Sequence, residues 1–297
     1  MSIFGPGMSI FGRFAGCDCA LQLTSTVAIV VIPGRGNGEG WRQHVELPPG
    51  AVRPRLSGEN LDPAVLTPLL RELADAVPRR VSAVTLVLPD ACAKVHVVPI
   101  ESEQVPGRRA TEEIIRWAFR DTLPFPVEEA LIDTQLYDDG VQRRLLVAAA
   151  HRDVLQQYEQ AAAVFGPVVR TMPATLACGW SVGERAAAPQ LLVYADDDSV
   201  GCMVSSSSSP VFIRARPRRG ERSIAAAVVE TLEYAANRLD IGTGQATISG
   251  LAAGNEELET TLTSRGWVLR TGNDEFDAGG ARFGALDGAL RAAEAGI

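Results

Sequence analysis

The sequence predicts an α/β protein. Three observations lead there: β-branched runs alternate with stretches of helical periodicity, glycine and proline punctuate nearly every junction, and 297 residues exceed the roughly 150 of one average domain. Hydrophobic residues make up 46% and charged residues 22% of the chain, a balance that supplies a buried core and excludes a disordered polypeptide. The 28 basic and 36 acidic side chains leave a net charge of −8, which argues against a surface built to hold nucleic acid. Lys94 is the only lysine, so lysine chemistry is confined to one position.

The first element is the β-rich run Leu21 to Ile32. The polar triplet Thr24, Ser25 and Thr26 in its middle marks a tight turn, so the run reads as a hairpin. Gly34, Gly36, Gly38 and Gly40 lead into a strand at Trp41 to Glu46, ended by Leu47-Pro48-Pro49-Gly50. Asp62-Pro63 opens a helix carrying Val65, Leu66, Leu69, Leu70 and Leu73 at helical spacing. Pro68 lies inside that pattern and offers Thr67-Pro68 as an alternative start. Strands follow at Ala83 to Leu88 and at Lys94 to Val98, completing a βαβ-like unit.

The middle third has a different order. Thr111-Glu112-Glu113 begins a helix with the apolar stripe Ile114, Ile115, Ala118 and Phe119, ended by Leu123-Pro124-Phe125-Pro126. Strands Leu131 to Leu136 and Arg144 to Ala150 flank the turn Asp138-Asp139-Gly140. Asp153 is expected to cap a helix running to Phe165, and a strand lies near Val168 to Met172. The block reads as a compact α+β subdomain.

The last third begins with a hairpin, Leu191 to Tyr194 and Val200 to Val204 around the acidic turn Asp196 to Asp198. A further strand spans Val211 to Ala215, and a long helix Ser223 to Leu239. Strand Ala246 to Ser249, a loop to Gly254, helix Glu256 to Ser264, a strand at Trp267 to Leu269 and a helix from about Gly280 to Ala293 complete the chain.

Few residues suggest chemistry. Cys17, Cys19, Cys92, Cys178 and Cys202 are an odd and scattered set, expected to be reduced and buried. His44, His96 and His151 form no ligand motif, so no metal is expected. The glycines at 34 to 40 precede a strand instead of a helix, so they do not make a phosphate loop. No nucleophile elbow or catalytic triad order stands out, and Glu128-Glu129 reads as a solvated pair. Arg214, Arg216, Arg218, Arg219 and Arg222 lack interleaved aromatics and read as a solvated face or a contact for an acidic protein partner. The apolar runs Val27 to Ile32 and Leu145 to Ala150 have only strand length, so no membrane span is expected, and the N-terminus has no signal-peptide pattern. Met1 to Gly5 recurs as Met8 to Gly12, which makes Met8 the expected natural start.

Several stretches together carry a resemblance. From Glu113 to Gln135 run Ile114-Ile115-Arg116-Trp117, then Leu123-Pro124-Phe125-Pro126-Val127-Glu128-Glu129, then Asp133-Thr134-Gln135. Val147-Ala148-Ala149-Ala150 before a helix, Leu47-Pro48-Pro49-Gly50 before the first helix, and Val84 to Pro89 fit the same pattern. With these residues the chain resembles the PilM-type proteins of type IV pilus assembly, actin-like relatives of FtsA, over about Ala20 to Leu290.

The resemblance implies an α/β actin-like ATPase fold, built of ribonuclease H-like subdomains with an inserted α+β subdomain, 1C. On that pattern 13–94 and 280–297 form subdomain 1A, 95–172 form 1C, and 173–279 form 2A and 2B. It implies a cytoplasmic scaffold, peripheral at the inner membrane, that clasps the N-terminal tail of a PilN-like membrane protein. Val95, Val97, Ile114 and Trp117 are the nominated groove residues, with ordinary core positions as their alternative.

The family's nucleotide site departs here. Actin-like proteins carry an Asp-x-Gly turn in each of two hairpins, and those positions fall on Gln22 and Thr24 and on Tyr194 and Asp196. The lysine position, near Ala28, is not basic, and Asp197 and Asp198 add charges expected to repel a triphosphate. Thr24, Ser25, Thr26, Ser249, Gly250 and Gly254 remain as nucleotide-binding candidates, and ATP with magnesium is the one cofactor left open. The expectation is a degenerate, non-hydrolysing site with no catalytic residues. Two other readings stay open: a nucleotide-switched actin-like ATPase, and the cytosolic part of a GspL-type secretion protein, against which Pro124-Phe125-Pro126 favours the pilus branch.

Overall fold

Two five-stranded sheets and one three-stranded sheet are threaded in chain order. The first stretch runs β1 (Cys19–Leu23), β2 (Val27–Ile32), β3 (Trp41–Glu46), α1 (Pro63–Asp75) and β4 (Val84–Leu88). An inserted unit follows: β5 (Ala93–Ile100), α2 (Arg108–Phe119), β6 (Ala130–Asp138) and β7 (Arg143–His151). The chain continues through α3 (Arg152–Ala162), β8 (Val168–Pro173) and α4 (Ala174–Ser181). The remainder is β9 (Gln190–Ala195), β10 (Ser199–Ser206), β11 (Ser209–Pro217), α5 (Ile224–Ala236), β12 (Gln245–Gly250), α6 (Glu256–Ser264), β13 (Val268–Leu269) and α7 (Gly284–Glu294). The computed structural model describes residues 17–34, 40–100, 108–138, 142–181, 188–206, 209–218, 223–237, 239, 243–270 and 284–294.

The two larger sheets repeat one plan. Their strand orders are β3-β2-β1-β4-β8 and β11-β10-β9-β12-β13. In each, a three-stranded antiparallel meander is followed, across a helix, by two parallel strands. Parallel strands need helical crossovers to cover the sheet faces. Helices α4 and α7 lie between the two sheets, α4 touching β4, β8, β9 and β10, and α7 touching β1, β2, β4 and β12. Leu176, Ala177 and Cys178 of α4 and Leu286, Ala289 and Leu290 of α7 are buried there, in a core that also takes in Leu192, Tyr194 and Met203 of the second sheet. The two sheets therefore share a core through these helices, while the second lobe keeps a further core of its own, where β9, β10 and β12 pack against α5 and α6.

Local chemistry explains the element ends. Asp62 caps α1 by accepting from the Ala64 amide at 3.0 Å, with Pro63 at the tolerated first position. The helix runs through Pro68: burial of Leu66, Leu70 and Leu73 on one face holds together the turns that Pro68 would separate. Helix α3 begins two residues earlier than expected, because His151, and not Asp153, is its cap. The His151 Nδ1 accepts from the Asp153 amide at 3.1 Å, which leaves Nε2 to donate to Glu129 at 3.2 Å.

The inserted unit is smaller than 95–172. Strand β8 pairs in parallel with β4, and α3 packs on α1 and β4, so residues 152–173 belong to the first lobe. The reason is apolar pattern: Val154, Leu155 and Tyr158 face the same core as Leu86 and Leu70. What remains inserted is the sheet β5-β7-β6 with α2 on one face.

One close approach gives a direct test. A Cβ placed on Gly201 in β10 would lie 1.7 Å from Thr175 Oγ1 of α4, where sheet and helix meet. Gly201→Ala must push the two apart, and overpacking of this kind costs about 1–3 kcal/mol. Thermal unfolding of the variant should show a lowered Tm; an unchanged Tm would mean that α4 does not bear on β10.

Candidate functional site

The turns at the ends of two hairpins meet between the lobes. In the first, the Thr24 amide donates to Val27 O at 2.9 Å, and the Thr24 hydroxyl accepts from the Val27 amide at 3.1 Å. In the second, Asp196 plays the same part. Its amide donates to Ser199 O at 3.1 Å, and its Oδ1 accepts from the amides of Asp198 (2.9 Å) and Ser199 (2.7 Å) and from the Ser199 hydroxyl (3.0 Å). Arg218 grips the acidic turn from its own lobe, Nη1 on Asp196 O at 2.9 Å and its amide on Asp198 O at 2.8 Å.

Four hydrogen bonds cross from one turn to the other. Gln22 Nε2 donates to Tyr194 OH at 2.7 Å, in full burial. The Ser25 amide donates to Asp198 Oδ2 at 2.9 Å. Asp197 Oδ2 accepts from the Thr24 hydroxyl at 3.4 Å and from the Thr26 hydroxyl. Every donor comes from the first lobe, and in three of the four bonds the acceptor is a carboxylate oxygen of the second, so the contact is charge-assisted.

Beneath the turns lies a buried acidic pair. Asp90 accepts from the Thr175 amide with both oxygens, at 3.1 Å each, and from the Thr175 hydroxyl. Burial pushes its carboxyl up to about 6. Burial, with added repulsion from Asp90 and Asp198, pushes Asp196 up to about 7. Asp198 is also raised, chiefly by burial, and Tyr194 lies well above the usual phenol range for the same reason. Gln22 Oε1, Asp196 Oδ2 and Ser249 Oγ are buried and make no hydrogen bond among the described residues.

The nominated nucleotide residues come together only in part. Thr24, Ser25 and Thr26 lie in the cleft. Ser249 and Gly250 end β12 beside Tyr194 and Ala195, their parallel partners in β9. Gly250 has φ +68, and a Cβ there would stand 2.1 Å from Ala195 O, so the glycine serves strand packing. Gly254, with φ +72, faces open space and leads into Asn255, which caps α6. Of the three carboxylates, Asp196 folds back into its own hairpin, and Asp197 and Asp198 are acceptors for the opposite turn. Sequence reasoning passed over Gln22 and Tyr194 as a pair, although the signal was present, since both occupy the aspartate positions of their hairpins.

The nominated groove divides. Val95 and Val97 are half-buried on the face of the inserted sheet that joins the main core, with Leu146 and Ala148. Trp117 is 75% exposed on α2, which covers the opposite face of that sheet through Ile115 and Phe119. Residues two apart on a helix point to opposite sides, so Trp117 cannot join a groove at Val95 and Val97. The Ile114 side chain lies outside the described residues.

The arginine cluster is not a free basic face either. Arg214 stacks over Tyr234 with its guanidinium carbon 4.2 Å from the ring centre, Arg216 pairs with Glu230, and Arg218 holds the acidic turn. Arg219 and Arg222 lie outside the described residues. All five cysteines are buried and free. Among the described residues no group of three or more His, Cys, Asp or Glu is placed to hold a metal, and no helix is long and apolar enough to cross a membrane.

No family model matches the sequence, and no curated protein matches it either. Solved structures do. A chain of the PilM-PilN type IV pilus biogenesis complex superposes with a TM-score of 0.71 at 17% identity, over 94% of this chain and 99% of that one. A Bacteroides thetaiotaomicron protein of unknown function with an actin-like ATPase fold gives 0.55 at 10% identity, over 96% and 99%. This chain has the actin-like ATPase fold. The cytoplasmic domain of EpsL, an inner-membrane component of the Vibrio cholerae type II secretion system, gives 0.50 at 14% identity over 83% of this actin-like chain and 94% of its own.

The acidic pair sets a pH dependence. Both carboxyls hold their protons more tightly folded than unfolded, where the ordinary value is 3.8. Their contribution to stability is therefore complete below pH 3.8 and is lost as pH rises through about 6 and about 7. Asp196→Asn keeps an oxygen for the Asp198 and Ser199 amides and cannot ionise. Thermal unfolding should find the variant gaining on the wild type between about pH 4 and about pH 7, with little further change above that. A difference that stays constant across that range would mean Asp196 is already ionised in the folded protein.

Proposed function

We propose that this chain is a nucleotide-independent scaffold of a type IV pilus assembly complex, and that it takes the N-terminal tail of a PilN-like membrane protein. One observation carries the reading: the superposition on the PilM-PilN complex chain spans 94% of this chain and 99% of that one. A match that wide has no room to skip the inserted β5-β7-β6 unit, so the similarity extends beyond the two lobes common to actin-like folds. Attachment through such a tail would hold the protein at the inner membrane without a span of its own.

The cleft supports independence from nucleotide. Fitting a magnesium triphosphate there would require the donors of Thr24, Ser25 and Thr26, which are already engaged by Asp197 and Asp198. The hairpin positions that would act through a metal are Gln22 and Tyr194, neutral and bonded to each other. Loss of one charge-stabilising group costs orders of magnitude in rate, and here several are missing, so we expect no hydrolysis. For the tail, the half-buried face around Val95 and Val97, between the inserted sheet and the main core, is the favoured seat, since a bound peptide gains side-chain pockets there. The similarity to the EpsL cytoplasmic domain keeps a secretion-system role as the second reading.

Calorimetric titration with the cytosolic N-terminal peptide of the PilN-like protein tests this. Binding should be clear and equal with and without Mg-ATP. Val97→Ser should weaken it about tenfold, equivalent to about 1.4 kcal/mol, while Trp117→Ala leaves it unchanged. Binding that requires Mg-ATP would favour a nucleotide switch, and no binding in either condition would remove the pilus reading.

A further inference from the structure

We propose that Asp197 and Asp198 are a built-in substitute for a phosphate ligand: their carboxylates fill the donor-lined turn of the opposite lobe and hold the lobes together. The proposal rests on the reading that the cleft takes no nucleotide, and it supplies the occupant in its place.

The receiving side has the chemistry of an anion site. Two hydroxyls and one backbone amide of a single three-residue turn converge on acidic oxygens, Thr24 and Thr26 on Asp197 Oδ2 and Ser25 on Asp198 Oδ2. Backbone amides and hydroxyls gathered in a tight turn are what an actin-like hairpin or any phosphate-binding loop offers an anion. Here the anion arrives from the same chain, 171 to 173 residues downstream in sequence. An intramolecular ligand is present at a high effective concentration and is never diluted.

The donated side is held ready for that role. Asp196 orders the turn by accepting from the amides of Asp198 and Ser199, so the carboxylates of Asp197 and Asp198 are left free to reach across. Arg218 anchors the turn from behind and places a cation beside the acidic group. Three consecutive aspartates thus divide their work: the first shapes the hairpin and the next two serve as ligands. Crowding of negative charge is relieved because burial holds Asp196 and Asp90 toward their neutral forms. The receiving turn has bonds of its own, since the Thr24 hydroxyl accepts from the Thr26 and Val27 amides and has Val27 O at 3.3 Å as a second acceptor for its proton. Thr26 and the Ser25 amide are therefore the donors committed to the opposite turn.

The test uses hydrogen exchange of the full chain, with inorganic pyrophosphate as the probe. In the wild type the amides of residues 24–27 should exchange slowly and ignore pyrophosphate. In Asp197→Ala/Asp198→Ala they should exchange about tenfold faster, as loss of charge-assisted hydrogen bonds predicts, and added pyrophosphate should restore slow exchange. Thr26→Val, at an exposed turn position where folding is not at risk, should loosen the acidic turn at 196–199 in the same direction. Unchanged exchange in both variants would overturn the proposal. So would an alanine variant that opens and ignores pyrophosphate, because its carboxylates would then be a clamp and not a stand-in for phosphate. A wild type that slows with pyrophosphate would overturn this proposal together with nucleotide independence. A wild type that behaves as expected and takes no tail peptide would retire the pilus reading alone.

Discussion

Gln22 and Tyr194 stand 172 residues apart in the chain and 2.7 Å apart in the fold, and the hydrogen bond between them lies where the two lobes face each other. Around it the chain closes on itself. The sheets share a core through α4 and α7, the turns of the two leading hairpins interlock, and the acidic pair Asp90 and Asp196 is sealed beneath. A buried donor without an acceptor costs more than the bond gains, so Gln22 and Tyr194 depend on each other and on the lobes staying together. The same dependence reaches the rest of the molecule, because β1 and β9, which carry the pair, are the central strands of their sheets.

On the proposed reading, the duplicated fold serves a purpose other than opening and closing. Each lobe presents a hairpin at the same place, and in an actin-like cleft both would face a ligand lying between them. Here one hairpin carries hydroxyls and an amide, while the other carries carboxylates. Complementary chemistry on two copies of one motif joins the lobes along a seam. A seam made of charge-assisted bonds beside a shared apolar core would suit the proposed scaffold, which has to present the inserted sheet in a fixed position. The acidic pair adds one sensitivity, since ionisation at higher pH loads the seam with charge that burial resists.

Much of the fold was legible in the sequence, because it is written in local signals. The polar triplet at 24–26, the acidic turn at 196–198, the Asp62-Pro63 start and the apolar stripe of α2 each carry their own structural instruction. What was not legible depends on partners distant in sequence. Strand β8 looks like the natural end of the inserted unit, yet its parallel pairing with β4 places it in the first lobe, and no local pattern encodes that choice. Pro68 breaks the rule for helix interiors and is overridden by the burial of Leu66 and Leu70. At the site, the three aspartates read correctly as a turn, and only the fold reveals that Asp197 and Asp198 take donors of the opposite turn. Trp117 reads as a groove residue because it is an apolar residue expected beside the first subdomain, and helical geometry sends it the other way.

Cross-linking across the seam tests the central claim most directly. Thr26→Cys/Asp197→Cys places one thiol on each turn of a protein whose five natural cysteines are buried. The account predicts a disulfide that forms under mild oxidation at the same rate with and without Mg-ATP. A rate that falls sharply when Mg-ATP is added would mean that nucleotide enters the cleft and parts the hairpins, and would contradict the account.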